Sequence, residues 1–225
     1  MLMNARQRLQ PSLEPKAQPI QRRAADTIER ILEAAAKTLS DVGVERLSTN
    51  LVCERAGLTP PALYRYFPNK YALLSELGRR LMDRQNECVE NWMTEEVLAA
   101  GVPALEEALT GLLLETYDVT RRTEGGVWIM RALRAIPVLQ EVRLSSHAAV
   151  TEAQLRLLAR ARPDAKKAEL RLAVRIVVEL VYATVEMLFD ESMDARSVAR
   201  VVAGMMCSHL ERVRPARLRR SSRRE

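Results

Sequence analysis

From Ile28 onward the apolar residues Ile28, Ile31, Leu32, Ala35, Ala36, Leu39 and Val42 return at steps of three and one. That spacing keeps them on one face of a 3.6-residue repeat and predicts a helix with a buried stripe, stopped by Gly43. Ser48 is placed to cap a short helix through Ala56, which Gly57 ends after barely two turns. Thr59-Pro60-Pro61 opens another short helix, to about Phe67. Pro68-Asn69 breaks the pattern, and Asn69 caps a long amphipathic helix with Leu73, Leu74, Leu77, Leu81, Val89 and Trp92 on its buried side.

Five more helices of ordinary length follow, separated by Gly101-Val102-Pro103, Gly125-Gly126, Pro137, Pro163-Asp164 and the stretch Asp190 to Asp194. The eighth helix, about Ala165 to Phe189, is apolar on nearly every face past Leu172. The ninth carries Val198, Val201, Val202, Met205, Met206, Leu210 and Val213. A helix apolar all round must be surrounded, so this pair is expected to bury itself against more than its own chain. With only 8 glycines in 225 residues, 4% aromatics and abundant Ala, Leu, Arg and Glu, nothing reads as a run of strands.

The net charge of +6 is unevenly spread. Residues 1–20 and 21–70 each carry +2, Arg212 to Glu225 carries +6, and the body between is acidic. Such asymmetry suits a polyanion bound at one end of the molecule. Cys53, Cys88 and Cys207 are widely spaced and sit in apolar helical patterns, as buried thiols in a reducing compartment do. The N-terminus has no apolar core of signal-peptide length, and Glu179 and Glu186 interrupt the most apolar later stretch. A cytoplasmic protein without a membrane span is expected.

The stretch from Ser48 to Lys70 carries the chemistry. Two short helices are joined by Ala56-Gly57-Leu58-Thr59, in which Gly57 permits a positive backbone dihedral and Leu58 anchors the turn. This is helix-turn-helix spacing. Leu63 and Phe67, four residues apart, should pack inward, leaving Pro61, Tyr64 and Arg65 outward as on a recognition helix. Pro60 and Pro61 have no amide hydrogen, so the first amide the Thr59 side chain can cap is that of Ala62. Two successive prolines present a rigid apolar tip, which in a major groove favours thymine methyls over hydrogen bonds to guanine.

The run Gly57-Leu-Thr-Pro-Pro-Ala-Leu-Tyr-Arg-Tyr-Phe-Pro-Asn-Lys-Tyr-Ala-Leu-Leu74, preceded by a long helix, Gly43 and Leu47-Ser-Thr49, resembles the DNA-binding domain of the TetR family of bacterial regulators. The resemblance covers roughly Arg22 to Leu77. It implies that Thr49, Tyr66 and Lys70 touch phosphates, that Thr59 sits at the DNA-facing turn, and that Pro60, Pro61 and Tyr64 lie in the major groove. Val52-Cys53 stands where the family usually has Ile-Ala, and the Pro-Pro pair at base-reading positions is unusual for it. The resemblance further implies a C-terminal region that binds a small-molecule effector and dimerises through the last two long helices. It also implies repression rather than activation, with a two-fold homodimer setting two recognition helices on a pseudo-palindromic operator in double-stranded DNA.

The expected fold is therefore all-α, about nine helices. A disordered arm at 1–20 precedes a helix-turn-helix domain at 21–70, a helical ligand-binding and dimerisation domain at 71–213 and a basic tail at 214–225. Trp92, Tyr117, Trp128, Met130 and Tyr182 are the candidate pocket residues. His147 and His209 have no acid or thiol at ligand spacing, so neither a metal nor any other cofactor is expected. Glu95-Glu96 and Glu106-Glu107 are neighbours about 100° apart on a helix, a solvated face rather than an acid/base pair. Two rival functions are a helical enzyme or carrier with a vestigial head, and an architectural DNA-binding protein of the same fold. Outward Tyr64, Tyr66 and Lys70, and the lack of a nucleophile–base pair or phosphate loop, speak against the enzyme.

Overall fold

The computed structural model describes residues 22–163 and 165–212; the expected arm at 1–20 and basic tail at 214–225 lie outside the described residues. The described residues form ten α-helices, a 3-10 turn at Pro137–Leu139 and no strand. In order the helices are α1 (Arg22–Arg46), α2 (Thr49–Ala56), α3 (Pro60–Tyr64), α4 (Lys70–Trp92), α5 (Glu95–Ala100), α6 (Val102–Arg122), α7 (Gly126–Ala135), α8 (Gln140–Ala161), α9 (Lys167–Asp190) and α10 (Ala195–Arg212). The helix beyond the expected nine is α5. It buries none of its side chains and so leaves no apolar periodicity to read. It is held by a cap, the Thr94 hydroxyl accepting from the Val97 amide at 3.4 Å.

The chain gathers into two compact units, one comprising the described residues up to Asp83 with Thr120–Leu144, the other Arg84–Val119 with the residues from Ser145 on. In the first unit the predicted stripe of α1 is buried from Ile28 to Leu39, and α1 packs on α2 and α7. Gly43 breaks the regular helix where the sequence places a stop, at φ 71° and ψ 179°, and one further turn runs on to Arg46. An added Cβ there would stand 3.5 Å from the Trp128 ring, so the break doubles as the seat of an indole. Arg80 of α4 forks onto Glu29 of α1 at 2.6 and 2.7 Å. That hydrogen bonding holds the Glu29 carboxyl below its usual range.

In the second unit α9 packs against α10, and Leu109 and Leu113 of α6, Leu155 of α8, Val174 and Val185 of α9 and Ala203 of α10 are all buried. Trp92 is seated on Gly111 of α6 and its indole N–H donates to Glu115. Among the described residues only one face of α9 is covered. Leu172, Ile176 and Leu180, each four residues from the last, are exposed, as are Val201 and Met205 of α10. Arg175 also lies on α9 and pairs with Glu179 at 3.0 Å, so the helix is less uniformly apolar than its run of Val and Leu implies. Among the described residues no helix is long and apolar enough to cross a membrane.

Candidate functional site

The stretch from Ser48 to Lys70 forms a closed local structure. Ser48 is extended, and its hydroxyl accepts from the Leu51 amide at 3.3 Å, capping α2. Gly57 ends α2 in the left-handed conformation, φ 60° and ψ 41°. That geometry lets the Gly57 amide donate to the Glu54 carbonyl at 3.2 Å and the Leu58 amide to the Cys53 carbonyl at 2.9 Å. After the turn, Thr59 does not cap as the sequence suggested. The Ala62 amide donates to the Thr59 backbone carbonyl at 3.0 Å, and the hydroxyl makes no capping bond. The tight first turn brings the carbonyl to the amide before the side chain can reach it. Helix α3 is also shorter than expected. It ends at Tyr64, and a turn through Tyr66 carries the chain to Phe67.

Leu63 and Phe67 are both completely buried, whereas Pro60, Pro61 and Arg65 are exposed and Tyr64 is 40% exposed. One side of a five-residue helix thus belongs to the core and the other to solvent. The Tyr64 hydroxyl is not idle. It lies 3.0 Å from the Thr49 hydroxyl, so the first residue of α2 is tied to the last of α3. Sequence reading gave these residues separate roles and missed the bond between them; no local pattern signals a pairing fifteen positions apart. Asn69 Oδ1 accepts from the Tyr71 and Ala72 amides at 2.9 and 3.0 Å, capping α4 as expected. Lys70 Nζ donates to the Leu47 carbonyl at 3.3 Å, which fixes the start of α4 beside the start of α2. An ammonium has three hydrogens, so this bond leaves donors for an anion. Tyr66, Thr49 and Lys70 are all half-buried.

The second unit holds an apolar cavity of ≈ 40 Å³, bordered by Val89 of α4, Leu109 of α6, Val150 and Gln154 of α8, and Val178 and Tyr182 of α9. Beside it is a wider hollow of ≈ 150 Å³ that shares Leu105, Leu158 and Leu210 with it and has Arg162 and Cys207 in its wall. Of the five candidate pocket residues, Tyr182 borders the cavity. Tyr182 donates to Asn86 Oδ1 at 3.3 Å and stacks on buried His147 with centroids 4.2 Å apart, and His147 Nδ1 meets Glu179 at 3.2 Å. Burial pushes the Tyr182 phenol well above its usual value, so it stays neutral. Trp92 and Tyr117 belong to the same unit but not to the cavity wall; Tyr117 packs on Phe189 at 4.7 Å. Trp128 and Met130 lie in α7, in the other unit. Val89, Leu109, Val150 and Val178 could not have been picked from sequence, where a cavity wall and a core look alike.

A two-helix turn with one buried and one outward face on its second helix is the frame of a helix-turn-helix DNA-binding protein. Residues 31–77 match the model of the bacterial regulatory proteins of the tetR family. An HTH-type transcriptional regulator from Mycobacterium tuberculosis is 30% identical over 148 residues, 65% of this chain and 72% of that protein. The tetracycline repressor protein class C of Escherichia coli is 43% identical over 54 residues, 24% of this chain and 25% of that one. Among solved structures, a TetR-family transcriptional regulator from Streptomyces coelicolor superposes with a TM-score of 0.56 at 26% identity, covering 84% of this chain and 99% of the other. The chain belongs to the TetR family, and it is a DNA-binding transcriptional regulator.

Proposed function

We propose that the protein is a ligand-responsive repressor that binds a pseudo-palindromic operator as a homodimer. The observation that carries this is the division of α3 and the turn after it, with Leu63 and Phe67 fully buried while Pro60, Pro61 and Tyr64 are exposed. In this reading residues 21–70 form the reading head. Thr49, Tyr66 and Lys70 hold phosphates, Thr59 stands at the turn, and Pro60, Pro61 and Tyr64 enter the major groove, where the proline tip favours thymine methyls.

Residues 71–213 then carry the effector and the partner subunit. The occupant of the uncovered face is a second copy of the chain. Leu172, Val201 and Met205 are 62, 64 and 67% exposed, and a stripe of that kind at helical spacing supports a four-helix contact made twice over by symmetry. The effector occupies the cavity beside Tyr182. Its binding selects the state in which the two heads are badly spaced, with a coupling of ~1–3 kcal/mol. Similarity to a protein named as a tetracycline repressor supports ligand response and repression alike.

The test is fluorescence anisotropy on the DNA upstream of the protein's own gene, at two salt concentrations, with Tyr64→Ala and Lys70→Ala beside the unaltered protein. Selective binding that falls in both variants is expected, with the Lys70→Ala salt slope shallower by about one ion. Weak binding that is equal in all three proteins and abolished by salt refutes the assignment. Sedimentation of Leu172→Glu, Met205→Glu tests the dimer face separately, and a dimer unaffected by both charges excludes it.

A further inference from the structure

We propose that Arg65 determines part of the sequence specificity of the reading head by taking a guanine in each half of the operator, about two base pairs beyond the position met by Pro61. This rests on the assignment of α3 as the helix that enters the major groove. Arg65 follows the last residue of α3 and still keeps helical angles, φ −62° and ψ −34°, and its amide donates to the Pro61 carbonyl at 3.2 Å. It therefore stands one turn beyond Pro61 on the same side of the helix. Leu63, midway between them in sequence, is completely buried, and each residue turns the helix by about 100°, so Pro61 and Arg65 both point away from the core. Both are exposed.

The side chains of this stretch differ in what they can offer a base. Those of Pro60, Pro61 and Ala62 carry no polar atom, and the Tyr64 hydroxyl is engaged by Thr49 at 3.0 Å. Among the described residues the Arg65 guanidinium has neither an ion pair nor a hydrogen bond, whereas Arg55 of α2 is tied to Asp41 at 2.5 Å and Lys70 to the Leu47 carbonyl. Arg65 thus brings five uncommitted N–H donors in a planar fork, which matches the O6 and N7 of guanine, a pair of acceptors that no other base presents in the major groove. A recognition helix meets base edges first with its N-terminal residues, so a side chain one turn later needs length to reach them, and arginine supplies it. Four residues advance the helix by about 6 Å, close to the rise of two base pairs. Because Arg65 shares its side of the helix with Pro61, it follows the proline into the groove, and a base rather than a phosphate is its partner.

The experiment is site selection by the full-length protein from a duplex library of random sequence. The selected duplex and its single-base changes are then titrated with the unaltered protein and with Arg65→Ala. A guanine is expected in each half-site, about two base pairs from a thymine. Replacing it with 7-deazaguanine, which pairs normally and lacks N7, should weaken the unaltered protein about fivefold, the ratio one net hydrogen bond gives. Replacing the whole G·C pair with A·T should weaken it about tenfold or more. Arg65→Ala should bind the three duplexes within about twofold of one another and still prefer the thymine. Arg65→Met, which keeps the apolar stem and loses the donors, serves as a second variant if the first does not fold. A half-site without a required guanine, or a sensitivity to 7-deazaguanine that persists in Arg65→Ala, overturns the proposal. So does an equal loss on every duplex with a salt slope shallower by about one ion, the mark of a phosphate contact. Selective binding that is lost in Tyr64→Ala and unchanged in Arg65→Ala removes Arg65 alone. A library that yields no enriched sequence, with Tyr64→Ala binding like the unaltered protein, means that α3 does not read DNA, and both assignments fall together.

Discussion

Replacing Gly57 with alanine isolates the contribution of one backbone angle to the reading head. At φ 60° and ψ 41° the residue sits in the left-handed region, and a Cβ added there meets no atom within 4 Å. The penalty is therefore conformational and not steric. It amounts to about 1–2 kcal/mol for an L-residue, less ~0.5 kcal/mol because alanine also restricts the unfolded chain. A net loss of about 1 kcal/mol is expected for Gly57→Ala, and about half of that for Gly57→Asn, whose short polar side chain tolerates this region. The Leu58 amide, held to the Cys53 carbonyl at 2.9 Å across the same turn, is the local reporter. Its native-state hydrogen exchange should speed up about fivefold in the alanine variant, the factor that 1 kcal/mol represents. Operator affinity should change less than twofold, because a turn that opens more often is still closed in nearly every molecule. A loss above ~3 kcal/mol would mean that the Cβ does meet something, and a loss below ~0.3 kcal/mol that the turn is not what holds α2 to α3.

The hydroxyl pair of Thr49 and Tyr64, 3.0 Å apart, should appear in a double-mutant cycle of Thr49→Val and Tyr64→Phe as a coupling of ~0.5–1 kcal/mol in stability; strict additivity would show that the bond is not formed in solution. Glu29, lowered from its ordinary 4.5 by Arg80, stabilises the fold above that value and loses the contribution as pH falls through its folded-state value. Glu29→Gln should thus cost ~0.5–1 kcal/mol near pH 7, modest because the Glu29 side chain is 53% exposed, and nothing in strong acid; a difference independent of pH refutes the pairing. Burial pushes the Cys88 thiol up to about 11, so in the native protein it should react with a thiol reagent far more slowly than after unfolding, and equal rates would contradict its burial.

The reading head was legible in sequence because each of its features is local. Ser48 and Asn69 accept from amides, and the Gly57 amide donates to a carbonyl, all within three residues, and Leu63 and Phe67 are one turn apart, so spacing alone tells which way they face. Where the head depends on distant pairs, such as Thr49 with Tyr64 or Lys70 with the Leu47 carbonyl, sequence carries no trace. It also misjudged Thr59, since whether a carbonyl or a hydroxyl reaches the Ala62 amide is decided by the pitch of the first turn. In the second unit the long apolar runs predicted helices correctly and left the cavity invisible. Val178 and Val185 lie on the same helix and are both buried, yet of the two only Val178 borders the cavity. Packing defects arise from the fit of several helices, which no single segment encodes.

In α3 the residues that anchor the helix in the core and the residues that face outward are different residues, Tyr64 alone among the outward set adding a side-chain bond, to Thr49. Leu63 anchors it from within and Phe67 just beyond, while Pro60, Pro61 and Tyr64 are exposed. Mutation can therefore rewrite the outward set at little risk to folding, whereas a change at Leu63 is purged whatever its effect on sequence preference. Selection on a regulator of this build can shift it from one set of genes to another by a few single-residue steps, each passing through a folded protein.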